Sequence, residues 1–151
     1  MLFDTHLHLS EVPPEERLLP GAALSSVHTP DDPLITARES RVLISYGIHP
    51  LWLQEEGRSL ETLSSLAAGG AIAAVGECGF DFYSGRDEAM ESEQRSFFRA
   101  QCAVAERYGL PLVVHVRRGM AEIFAEAGPL KRLPAVIFHC YPGTAEEGLA
   151  L

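Results

Sequence analysis

Six short apolar runs, each closing on a histidine or a glutamate, constrain this chain more than any other feature. They lie near residues 2–8, 22–27, 41–48, 71–77, 111–115 and 135–139. Between several of them apolar residues recur at helical spacing, as at Leu60, Leu63, Leu66 and Ala67, and along the stretch from about Ser92 to Tyr108. Gly69-Gly70 and Gly109 end those two stretches. Apolar strands alternating with helices imply a parallel sheet covered on both faces. Two architectures meet that demand: an open doubly wound sheet and a (β/α) barrel.

The residues that close the runs are His6 and His8, His28, His49, Glu77, His115 and His139, and they include all 6 histidines of the chain. In a parallel barrel the C-terminal strand ends share one face, where groups from several strands converge. In the first run, Phe3-Asp4-Thr5-His6-Leu7-His8-Leu9, polar and apolar residues alternate. Residues i and i+2 of a strand share a face, so His6 and His8 project side by side, with Asp4 on the same face. Two neutral imidazoles on one strand are half of a metal site. Glu77 follows Ala74-Val75-Gly76 at a buried strand end, where a carboxylate needs a partner or a metal. Cys78 and Cys140 neighbour these residues and are expected to serve packing, since adjacent strand residues face opposite ways.

Smaller features complete the pass. Prolines leave room for one helical turn from Pro14 to the stop at Pro20-Gly21, and a short helix is expected over 34–40. Phe80-Asp81-Phe82-Tyr83 reads as a loop, and Met120 to Ala127 as a helix closed by Gly128-Pro129. Thr144-Ala145-Glu146-Glu147 has the form of a capping box.

At 151 residues the chain is expected to form a single domain over 1–151. Its net charge of −9 speaks against a broad nucleic-acid platform. It does not speak against a site where bound cations reverse the field locally. No apolar run reaches the ~20 residues that span a bilayer, and no signal-peptide pattern opens the chain. Three cysteines at irregular spacing point to a reducing, cytoplasmic setting.

The motifs also carry a family resemblance. They are Phe3 to Leu9, Tyr46-Gly47-Ile48-His49-Pro50, Val75-Gly76-Glu77-Cys78-Gly79-Phe80-Asp81, the stretch from Leu110 to Arg117, and Phe138-His139-Cys140-Tyr141-Pro142-Gly143. In that order they resemble the motifs of the TatD family of metal-dependent hydrolases, within the amidohydrolase superfamily. Gln94 and Gln101 resemble that family's glutamines. The resemblance implies a (β/α)8 TIM-type barrel, here incomplete, and two divalent metal ions (magnesium, manganese or zinc). His6 and His8 would hold one ion, His115 and His139 the other, and Glu77 would bridge them as the catalytic carboxylate. His49 and Arg117 would contact substrate, the guanidinium suiting a phosphate. The implied activity is hydrolysis of phosphodiester bonds in DNA by a two-metal-activated water.

The resemblance further implies two more strands and a strand-end aspartate that this sequence does not contain. The short length is expected to reflect either a fragment or a natural short form, and an open barrel seam predicts self-association. Two other functions fit the same residues: a truncated barrel that binds metal without turnover, and an amidohydrolase-like enzyme acting on a small amide or lactone.

Overall fold

The structure, a computed structural model, describes residues 3–9, 12, 22–27, 29–37, 42–54 and 58–151. His28 and the proline-bounded turn from Pro14 to Pro20 lie outside the described residues. The strands are β1 (Phe3–Leu7), β2 (Ala22–Val27), β3 (Val42–Tyr46), β4 (Ala74–Asp81), β5 (Leu112–Arg117) and β6 (Val136–His139). They form one sheet in the order of the sequence, and every neighbouring pair is parallel. The helices are α1 (Pro33–Ala37), α2 (Leu60–Ala68), α3 (Glu88–Tyr108), α4 (Met120–Ala125), α5 (Ala127–Leu130) and α6 (Ala145–Ala150).

The sheet curls. The rings of His6 on β1 and His139 on β6 lie 4.0 Å apart although those strands are its two edges. Sequential parallel strands curled this way form most of a barrel, which decides against the open doubly wound alternative. Pleat parity separates inside from outside. Leu24, Ala74, Val113 and Ile137 make a small apolar cluster of their own. Two residues further along their strands stand Ser26, His115 and His139. The small cluster is therefore the inner layer on which the polar mouth rests. A larger core, including Tyr46, Leu63, Phe80, Phe98, Leu112 and Ile123, fills the space between sheet and helices.

Local chemistry sets the helix limits. Ser59 caps α2, its hydroxyl accepting from Thr62 N–H at 3.1 Å. Asp87 caps α3, accepting from Met90 N–H at 2.8 Å. That cap starts α3 four residues before the expected Ser92. Gly109 ends it in the left-handed region at φ 64°, where glycine is the natural residue. The expected capping box at Thr144 and Glu147 is formed.

Three expectations need correction. β4 does not end at Glu77 but runs on to Asp81, so Phe80 and Asp81 are strand rather than loop. The expected helix from Met120 to Ala127 divides after Ala125, and Gly128-Pro129 lies within α5 instead of closing the segment. Proline is tolerated there because it sits in the first turn, where its missing N–H has no helical partner to lose. Cys78 is buried as expected, whereas Cys140 is exposed and its backbone adopts φ 52°. The turn after β6 carries its thiol out of the core.

Candidate metal centre

Two strands meet the centre through irregularities rather than through simple alternation. Between Asp4 and Leu7, β1 carries one residue more than β2, and between Val75 and Cys78, β4 carries one more than β5. Such bulges re-aim side chains. On β1 the bulge removes Asp4 from the face it was expected to share with the histidines. Asp4 is exposed, and its Oδ1 accepts from the His6 backbone N–H at 3.0 Å. On β4 the bulge contains Gly76 and Glu77. Gly76 has φ 126°, and a Cβ there would run into the Val113 carbonyl, so only glycine lets β4 approach β5 this closely.

Glu77 is buried at the middle of the cluster. Its Oε2 lies 3.6 Å from His6 Nε2 and 3.6 Å from His8 Nε2, and those two nitrogens are 3.1 Å apart. Its Oε1 lies 3.7 Å from His115 Nδ1, beyond hydrogen-bond range, and has no hydrogen-bond partner. Donor atoms of His6, Glu77 and His139 come within 4.8 Å of one another, and so do those of His49, Glu77 and His115. The His49 and His115 rings are 4.4 Å apart. His139 stacks on His6 and also borders, with His115 and Arg117, a cavity of about 510 Å3. The structure thus gathers His6, His8, His49, Glu77, His115 and His139. Arg117 stands apart at the cavity rim, exposed, with its guanidinium 3.5 Å over the Tyr83 ring.

The protonation states of His6 and Glu77 suit cation binding, whereas at His115 a cation must displace a proton. Burial pulls His6 down to about 4, helped by the neighbouring His139 and His8 and opposed by Glu77, so its imidazole is neutral at pH 7. Burial alone would raise Glu77, but the facing imidazoles of His115, His6 and His49 outweigh it and hold the carboxyl down to about 2. Burial lowers His115 too, yet the carboxylates of Glu77 and Asp81 prevail and hold it above its usual value. An ionised buried carboxylate with an oxygen left unbonded, ringed by imidazole nitrogens, fits a divalent cation.

Of the supporting shell, Gln94 and Gln101 were singled out by resemblance without a role, and Ser26, Ser45 and the partnership of Asp81 were not foreseen. Ser26 Oγ meets His6 Nδ1 at 3.2 Å and Ser45 Oγ at 2.8 Å. A proton on Nδ1 donated to Ser26 leaves Nε2 bare toward Glu77. Asp81 Oδ2 lies 2.9 Å from His115 Nε2, so the bare nitrogen of that ring is Nδ1. Gln101 Oε1 accepts from Ile48 N–H at 2.7 Å, and its Nε2 donates to Ile48 O at 3.0 Å. Gln94 Oε1 accepts from Asp81 N–H, and its Nε2 donates to Asp81 O, both at 3.0 Å. A further donation reaches Pro50 O at 3.5 Å. Helix α3 thereby fixes both flanks of His49 and the end of β4. A signal for the serines was present in the sequence, as polar residues inside otherwise apolar strands. A signal for Asp81 was present too, at an even spacing from Glu77 once β4 is extended.

Comparison with known proteins bears on the family and the fold. The chain is 37% identical over 106 residues to the "3'-5' ssDNA/RNA exonuclease TatD" of Edwardsiella piscicida, covering 67% of this chain and 39% of that protein. It is 33% identical over 129 residues to the protein of the same description from Enterobacter lignolyticus, covering 82% of this chain and 48% of the relative. The chain therefore spans less than half the length of these relatives. The crystal structure of YjjV, a TatD homolog from Escherichia coli K12, superposes with a TM-score of 0.77 at 24% identity, over 98% of this chain and 63% of that one. A TatD-family hydrolase from Entamoeba histolytica gives 0.62 at 23% identity, over 84% and 47%. These structural likenesses establish the fold, an incomplete TIM-type barrel. A family model described as "TatD related DNase" matches residues 3–150, and the chain belongs to that family.

Proposed function

We propose that this chain carries the metal centre of a divalent-metal-dependent phosphodiesterase acting on single-stranded nucleic acid. The observation that carries the reading is Glu77, one buried carboxylate whose two oxygens face two different sets of imidazole nitrogens. Such a carboxylate suits a pair of cations sharing a ligand. His6 and His8 would hold one beside Oε2, and His115 would hold the other beside Oε1. His139, stacked on His6 and bordering the cavity with His115, is within reach of both. Bound there, magnesium, manganese or zinc supplies Lewis acidity and an activated water.

The chain's own residues would do the rest. Ser26 and Asp81 hold the ring nitrogens that ligate. His49, fixed through Ile48 and Pro50, lines the approach to His115, and Arg117 receives a phosphate oxygen at the rim. The names of the relatives support DNA or RNA as substrate. The free thiols of Cys78, Cys102 and Cys140 suit a reducing cytoplasm. No helix among the described residues is long and apolar enough to cross a membrane.

The test is turnover of single-stranded DNA and of bis(4-nitrophenyl) phosphate with magnesium or manganese, alongside titration of the metals by calorimetry. Hydrolysis lost on chelation and restored by metal is expected. Metal binding without hydrolysis of either compound would return the chain to a non-catalytic role. Hydrolysis of a small amide or lactone in their place would make it amidohydrolase-like.

A further inference from the structure

Arg117 ends β5 and Arg118 opens the turn after it, and both reach the same aromatic ring. Their guanidinium carbons stand 3.5 Å and 5.0 Å from the Tyr83 ring centroid. The backbone of Arg118 makes this possible. It adopts φ 58°, uncommon for a residue other than glycine, and its Nη1 donates to the Tyr83 carbonyl at 3.3 Å. Gly119 locks the turn, since a Cβ there would meet Phe80 Cβ at 2.5 Å. Local strain held by the surrounding fold is a mark of function.

The charge balance sharpens the point. Arg86, Arg95, Arg99 and Arg132 are committed to carboxylates. Among the described residues no carboxylate pairs with Arg117 or Arg118. Stacking on a ring holds a guanidinium by its face and leaves its in-plane N–H groups available. Both arginines line the cavity that His115 and His139 also line, and the half-exposed Tyr83 carries their guanidinium groups on its ring. In a chain of net charge −9, this is where a polyanion meets uncompensated positive charge beside the metal centre.

We propose that Arg117, Tyr83 and Arg118 form a phosphate subsite next to the metal centre, one that grips the neighbouring phosphate of a strand. The substrate is then a chain of linked nucleotides rather than an isolated phosphodiester. The inference rests on the hydrolytic reading above, because it takes the metal centre as the place of the cleaved bond. Tyr83 acts as a positioning residue for the two guanidinium groups.

Fluorescence anisotropy of a labelled short oligothymidylate, measured across a salt series and against thymidine monophosphate, tests this. In Arg118→Gln, strand affinity is expected to fall and the salt slope to shrink by about 0.7, the loss of one phosphate contact on single-stranded nucleic acid. Tyr83→Leu is expected to lose about 2- to 5-fold in strand affinity, the size of a cation–π contact at an exposed site. Tyr83→Phe, which keeps the ring, should restore it. Mononucleotide binding should change less than strand binding in each variant. Wild-type affinity and slope in Arg118→Gln would overturn the subsite, as would a wild-type chain that binds the strand no better than the mononucleotide. Failure of the hydrolytic reading would show separately, as no turnover of bis(4-nitrophenyl) phosphate, and would leave the binding comparison standing.

Discussion

Glu77 and Glu126 are both buried carboxylates, and their surroundings differ in kind. Glu126, at the α4–α5 junction, receives Arg95 Nη1 at 2.7 Å on Oε1 and Arg99 Nε at 2.8 Å on Oε2, with Arg99 Nη2 also on Oε1 at 2.8 Å. Its charge is matched by permanent cations and its oxygens are bonded. Glu77 faces imidazoles at 3.6 to 3.7 Å and keeps Oε1 unbonded. The first arrangement is complete as it stands and ties helices together. The second is complete only when something else enters. Burial of a carboxylate is therefore no guide to its role; whether its lone pairs are already spent is.

The largest effect should come from Glu77→Gln. Its metal affinity is expected to drop by more than the roughly 10–100-fold that follows loss of an outer partner. Its unfolding midpoint should also fall, because the imidazoles that hold the carboxyl down to about 2 make its charge a stabilising one at pH 7. Calorimetry and urea unfolding read the two quantities, and retained metal affinity would erase the contrast with Glu126. Asp81→Asn comes next, with metal affinity reduced by about 10–100-fold because the His115 tautomer is no longer enforced. Ser26→Ala should cost less, as a neutral hydroxyl orients a ring more weakly than a carboxylate does.

Glu126→Gln separates the two readouts: metal affinity unchanged, stability lower by about 1.5–3 kcal/mol in urea unfolding, the range for hydrogen bonds to charged groups. The lower end is expected because Arg99 is 60% exposed and water replaces part of what it loses.

The smallest effect is a pH dependence. Burial pushes the Glu126 carboxyl up, but Arg99 and Arg95 outweigh it and hold it below its usual value. The folded state then binds fewer protons at this group than the unfolded state does. Its contribution is whole above the unfolded value of about 4.3 and disappears as pH falls through the folded one. The stability gap between wild type and Glu126→Gln should therefore be full at pH 7 and narrow in acid.

Much of this was legible in the sequence for definite reasons. Apolar runs ending on His49, His115 and His139 are strong signals because a buried strand tolerates polarity only at its exit. Glu77 was legible as a charge within an apolar run, although the strand it was expected to close continues to Asp81. The β1 and β4 bulges were not, because an extra residue in a ladder leaves no trace in hydrophobic period when both faces are buried. From that follow the misplacement of Asp4, the shortened β4 and the missed partnership of Asp81 with His115. The grouping of His49 beside His115, and of His139 beside His6, depends on how tightly the sheet curls, which no local pattern encodes. Glu126 drew no notice because its partners Arg95 and Arg99 sit about thirty residues away, on another helix.

The two glutamines of α3 hold their targets by main-chain atoms alone: the N–H and C=O of Ile48, the N–H and C=O of Asp81, and the C=O of Pro50. A grip of that kind is blind to side-chain identity. The segments after β3 and β4 can exchange their side chains while their paths stay fixed, so new substrate contacts can be tried at the mouth without re-engineering the scaffold beneath it. For directed evolution, those two segments are the natural places to diversify, and Gln94 and Gln101 are the residues to leave alone.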